Sequence, residues 1–145
     1  MAAPTRIVAL LAALPLVLGA CGQTAKDSAG DFKGDQKAVA QTVEDLQTAS
    51  RKRDEGKICT QLLAPALVSK IKTASNSTCE KVLGDALRDV DSFELQVKKV
   101  AVNGTTATAT VTSDTGKKNR TDTLQLQKVG NAWKIATLGA PSGTS

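Results

Sequence analysis

FELQVKKVAVNGTTATATVT, residues 93–112, is the stretch in which the hydrophobic period changes from helical to two. Phe93, Leu95 and Val97 alternate on one face, and Val100 and Val102 resume on the other parity, so the extra residue at Lys98-Lys99 predicts a β-bulge. Asn103-Gly104 is the strongest hairpin signal in the chain, because both residues tolerate the positive φ that a tight turn between twisted strands needs. Thr105 to Thr112 then sets Ala107, Ala109 and Val111 on one face and threonine hydroxyls on the other.

Downstream, Asp114-Thr115-Gly116 predicts a turn into a third strand with Leu124 and Leu126 inward. Gly130-Asn131 turns that strand into a fourth over Ala132 to Leu138, with Trp133 and Ile135 inward. Residues 139–145 are expected to be a disordered tail. Upstream the period is helical. Asp35 is a candidate cap for a first helix to about Asp54, with Val39, Val43 and Leu46 on its stripe and Gly56 as the expected C-cap. Arg51, Lys52 and Arg53 crowd its last turn, where cations suit the helix dipole; a phosphate or lipid-headgroup site is the alternative. Ile58 to Leu63 predicts a short helical turn, Pro65 opens a second one through Ile71, and Lys72 to Ser77 reads as loop. Thr78 is placed to cap a third helix whose apolar face carries Cys79, Val82, Leu83, Ala86, Leu87 and Val90. Three N-terminal helices packed on a curved four-stranded antiparallel sheet make an α+β domain over residues 35–138.

The N-terminus has a different logic. One charge at Arg6, an apolar run from Ile7 to Leu18 and the small pair Gly19-Ala20 are the three parts of a signal peptide over residues 1–20. The run falls short of the ~20 residues that cross a bilayer. Leu18-Gly19-Ala20-Cys21 resembles the lipobox of bacterial lipoproteins. The resemblance implies a diacylglyceryl group on the Cys21 sulfur and cleavage before it, and two acyl chains at about 0.8 kcal/mol per buried methylene suffice to hold a domain at a membrane. The plainer alternative is a secretory peptide followed by a chance cysteine. Residues 21–34, small and polar with Phe32 as the one large apolar side chain, read as a flexible linker.

The chain has 145 residues, three cysteines, no histidine and a formal net charge of +5, of which Arg6 leaves with the signal peptide. Once Cys21 is lipidated, Cys59 and Cys79 remain as a pair suited to a disulfide in an oxidising compartment. Without histidine, and without C-x-x-C spacing, a zinc or redox pair is the weaker reading. Asp89, Asp91 and Glu94 form an acidic knot where calcium is conceivable, but turn and capping roles are more ordinary for these types.

The layout around Leu62-Leu63-Ala64-Pro65 between the two cysteines, the Val100 to Ala107 strand and turn, and the closing Gly130-Asn131-Ala132-Trp133-Lys134-Ile135 resemble small lipoproteins of high-GC Gram-positive bacteria with an NTF2-like, cystatin-like cone. The resemblance implies a lipid-anchored extracytoplasmic domain on the cell membrane. Enzymes of that fold place Asp, Tyr or His in the cone; this chain has neither His nor Tyr. No Ser-His-Asp set, Walker loop or dinucleotide loop is present, so neither catalytic residues nor a cofactor or metal is expected. Nucleic acid is an unfavoured partner, since export and two aromatic residues in the domain beyond the linker argue against a stacking platform.

Two binding roles follow, and an enzyme ranks last for want of acid–base groups. The first is a non-catalytic module that docks an envelope protein or other envelope component. The second is a carrier for an apolar ligand in a cone lined by Val43, Leu46, Leu83, Leu87, Leu124 and Trp133. Asp122 shares strand parity with Leu124 and Leu126 and is the candidate ligand-orienting carboxylate, with Arg120 one step further on. The plainer reading leaves both solvated beyond the covered part of the strand, because unpartnered carboxylates are rarely buried. An apolar cavity of several hundred Å3, within the ~300 to 1,000 Å3 of ordinary ligand pockets, would favour the carrier. A filled cone with an exposed apolar patch would favour the docking module.

Overall fold

A computed structural model describes residues 28–90, 94–114 and 119–141. The readings at the signal peptide, Cys21, Asp91, Phe93, Thr115-Gly116 and residues 142–145 lie outside that range. The elements are α1 (Gly34–Lys52), α2 (Glu55–Lys57), α3 (Pro65–Ser75), α4 (Cys79–Arg88), β1 (Glu94–Asn103), β2 (Thr106–Asp114), β3 (Asn119–Val129) and β4 (Ala132–Pro141). The strands form one antiparallel meander in the order β1-β2-β3-β4. Its two described turns are made by Gly104 and Gly130, both at positive φ (+59° and +62°). The register of β1 against β2 shifts between Val97 and Lys99, so the extra residue forms the expected bulge and Val97 and Val100 both face inward.

One face of the sheet carries the core. Val97, Val100, Ala107, Ala109, Val111, Leu126 and Ile135 are buried against Val39, Val43, Leu46 and Ala49 of α1. Small side chains on β2 let the helix lie close where it crosses the sheet. The outer edge of β1 meets α1 rather than another strand. Gln47 accepts from the Leu95 amide, and Gln36 donates to the Val100 carbonyl. These side chains occupy backbone groups that would otherwise invite strand pairing. On the opposite side the chain just before α3 lies along β4, with the Ala64 amide donating to the Ile135 carbonyl (2.8 Å).

Several helix boundaries differ from expectation, each for a local reason. Lys33, not Asp35, precedes α1; Asp35 lies in its first turn, and its carboxylate accepts from the Trp133 indole (3.4 Å) and the Lys128 ammonium (3.3 Å). The helix ends on Arg53 in the left-handed conformation (φ +54°), which replaces the C-cap expected at Gly56. Helix α3 runs on to Ser75, through residues read as loop, and stops at Asn76 in the same left-handed conformation. Thr78 caps α4 as its position suggests, its hydroxyl accepting from the Lys81 amide. Strand β4 continues to Pro141 on the edge of β3, past the boundary set at Leu138.

The expected linker also ends earlier than Gly34. Ser28 and Ala29 are buried beside α1 and β1. Glu44 accepts from the Ala29 amide (2.7 Å) and from the Ser28 hydroxyl, which in turn accepts from the Val97 amide. Cys59 and Cys79 form a disulfide that joins the turn before α3 to the start of α4. No helix among the described residues is long and apolar enough to cross a membrane.

Candidate functional site

Among the described helices α4 has the most strongly amphipathic pattern, yet Cys79 is its one buried residue among those described. Leu83 and Leu87, four residues apart and so on one face, are half-buried because they front a cavity. Leu46 and Ser50 of α1 face it by the same spacing. The concave sheet contributes Leu95, Val111 and Leu124. The cavity holds about 340 Å3 and opens toward solvent at the end of the sheet where β2 finishes and β3 begins.

Ile58 and Leu63 complete the apolar wall through a geometry that no helical template anticipates. Residues Ile58–Leu62 form a π-helical turn, closed by the Leu63 amide donating to the Ile58 carbonyl (2.9 Å). The five-residue spacing brings both side chains to one side. Cys59 lies within this turn, so its disulfide holds α4 against it.

Polar groups gather where β2, β3 and β4 meet. Ser113 faces Arg120 and Val111 faces Asp122 in the β2–β3 register. The Asp122 carboxylate accepts from the Ser113 hydroxyl and the Arg120 guanidinium, both at 3.4 Å. Its side chain is 18% exposed against 56% for Arg120, so the carboxylate belongs to the wall and the guanidinium to the rim. Gly139 makes this close approach feasible: a Cβ there would stand 3.1 Å from that of Asp122. The plainer reading of solvated strand-end residues therefore holds for Arg120, whose side chain is exposed, and gives way for Asp122, which is partnered and lines the cavity.

Of the residues expected in the pocket, Leu46, Leu83, Leu87, Asp122 and Leu124 come together there. Val43 and Trp133 do not. Val43 is fully buried in the packed core between α1 and the sheet. Trp133 is drawn toward the start of α1 by its bond to Asp35 and lines a separate, more polar depression beside Lys57 and Lys134. Glu94, read as part of an acidic knot, pairs with Arg51 (3.3 Å).

Helices wrapped on one face of a curved antiparallel meander, with a hollow between them, define an NTF2-like α+β domain. Two solved structures share the fold. A protein named Rd1NTF2_05, with five substitutions, superposes at a TM-score of 0.51 with 12% identity over 70% of this chain and 95% of that one. A "putative dehydratase from the NTF2-like family" of Streptomyces avermitilis gives a TM-score of 0.50 with 13% identity over 70% and 90% of the two chains. Residues 34–138 match the model of the family described as "Putative lumazine-binding", and the chain belongs to that family. No curated protein matches the chain.

Proposed function

We propose that this chain is a lipid-anchored, non-catalytic binding domain that carries one small, largely apolar ligand in its cone. The observation that carries the reading is the cavity of about 340 Å3, aliphatic along its walls and polar at Ser113, Asp122 and Arg120. Its size falls within the ~300 to 1,000 Å3 typical of ligand sites. The docking-module reading asks for an exposed apolar patch. Among the described residues, however, the exposed large hydrophobics are Val129 and Leu138, which do not form one, and Leu138 belongs to the rim of the cavity.

Asp122 and Arg120 are the titratable groups among the described lining residues, and they are spent on each other. With no histidine or tyrosine in the chain, that pair favours holding a ligand over acid–base turnover. The family description makes lumazine the second ligand to try. No described lining residue is aromatic, so an aliphatic body with a polar head suits the walls better than a flat ring. The lipobox resemblance at Cys21 supports the anchor, and Cys21→Ala should move the protein from the membrane to the soluble fraction.

Titration of the Cys21→Ala protein with a fluorescent monoacylglycerol, and separately with lumazine, tests the binding role. Saturable one-site binding of either is expected, and Asp122→Ala should weaken it about tenfold by removing the carboxylate available to accept from the donors of the ligand's polar part. Trp133 stands outside the cavity, so its emission reports folding rather than occupancy. Absence of saturable binding by both ligands, with Trp133 emission native, would overturn the reading.

A further inference from the structure

We infer that the cavity is loaded directly from the bilayer that holds the anchor, and that its ligand is a single-chain amphiphile of that leaflet. The inference rests on the binding and anchoring roles proposed above and adds the source and class of the ligand. Its first support is the shortness of the tether. Burial of Ser28 and Ala29, and the bonds of this segment to Glu44 and Val97, fix the chain onto the domain from Ser28 onward. Residues 22–27 alone separate Cys21 from that point, so the anchor lies within about 25 Å of it even with the chain fully extended.

The tether also arrives beside the cavity. Val97, which bonds Ser28, is two residues along β1 from Leu95, which lines the cavity and is held by Gln47 next to Leu46. Two strand residues span about 7 Å. A domain leashed at that edge keeps the cavity within reach of the bilayer surface. The rim suits that surface. Leu138 is 44% exposed and Leu83 and Leu87 are half-buried, giving an apolar lip. Arg51, Lys52 and Arg53 follow Ser50 directly at the end of α1; Arg51 pairs with Glu94, and the other two add positive charge toward an anionic leaflet. A volume near the lower end of the ligand range suits one acyl chain rather than two. The Asp122–Arg120 pair with Ser113 offers acceptors and donors of no net charge, complementary to a zwitterionic or uncharged head.

The test uses the full mature chain in phosphatidylcholine–phosphatidylglycerol vesicles that contain NBD-labelled lysophosphatidylcholine and a quenching lipid, so that uptake into protein restores emission. The anchored protein should load about tenfold or more faster than Cys21→Ala at equal concentration, because tethering raises the effective concentration. A Gly/Ser insertion of about twenty residues between Asp27 and Ser28 should slow loading several-fold. Lys52→Glu, at an exposed position outside the cavity lining, should slow it several-fold without weakening binding of the same probe from micelles. Equal rates for anchored, extended and soluble proteins, with micellar binding intact, would overturn the membrane source. So would a mature chain without acyl mass on Cys21. Failure of every variant to bind the probe from micelles as well as vesicles would instead overturn the binding role itself.

Discussion

Asp35 ties the first turn of α1 to the β3–β4 hairpin. Its carboxylate accepts from Trp133 and Lys128, and the Lys128 ammonium also lies 5.7 Å from the centroid of the Trp133 ring. The hydrogen bond from Trp133, followed by that from Lys128, holds the Asp35 carboxyl below the ordinary carboxylate range. A group depressed in this way stabilises the fold at pH above its unfolded value, and the contribution is lost as pH falls through the lower folded value. Stability should therefore decline below about pH 4, near the unperturbed carboxylate value. Asp35→Asn should lower the neutral-pH Tm and flatten part of the acid slope in thermal melts across pH. The remaining slope includes Asp85, which Lys81 and then Arg88 hold down in the same direction. Asp122 is a carboxylate of another kind, packed against Gly139. In Gly139→Ala the new Cβ must push the Asp122 side chain by a few tenths of an ångström, since the two Cβ atoms would otherwise stand 3.1 Å apart. Ligand affinity should fall more than thermal stability does, which calorimetric titration beside a melt would resolve.

At the scale of elements, α4 is the wall of the cavity most dependent on a covalent link. It packs on α2, α3 and the π-helical turn, and the Cys59–Cys79 disulfide secures its N-terminus. The bridge spans a sequence separation of 20, for which chain entropy gives about 3 kcal/mol. Cys59→Ser with Cys79→Ser should lower the unfolding free energy by about that amount in urea and weaken ligand binding further, because Leu83 and Leu87 lose their fixed support. The edge of β1 offers an independent check. Gln47→Ala leaves the buried Leu95 amide without its acceptor and should cost about 1 to 3 kcal/mol, read from the denaturant midpoint. Much of this scale was legible in the sequence. The alternation around Asn103-Gly104, the bulge and the cap at Thr78 are local patterns whose causes lie within a few residues. The misses are tertiary. Nothing near Ser28 or Asp35 in sequence announces Glu44, Val97 or Trp133 as neighbours, and a π-helical turn obeys neither of the periods by which apolar faces are read. The cavity was half legible for the same reason. Leu83, Leu87 and Leu124 follow from parity, whereas removing Val43 and Trp133 from it required knowing where α1 crosses the sheet.

For the whole molecule, the hollow follows from how the helices are held. α1 lies along the sheet and fills one half of its concave face, burying Val39 and Val43. α4 is carried by the α2–α3 segment, and the space between its leucines and the sheet stays open. Filling that space with an apolar ligand would gain roughly 25 cal/mol for each Å2 removed from water, with Ser113, Asp122 and Arg120 left to meet a polar head. The central claim is that this space is a ligand site, and native mass spectrometry of the protein purified under non-denaturing conditions tests it most directly. The account predicts a non-covalent adduct of one small amphiphile per chain, diminished by Asp122→Ala. A population carrying no adduct, and taking none up from an added single-chain lipid, would contradict it.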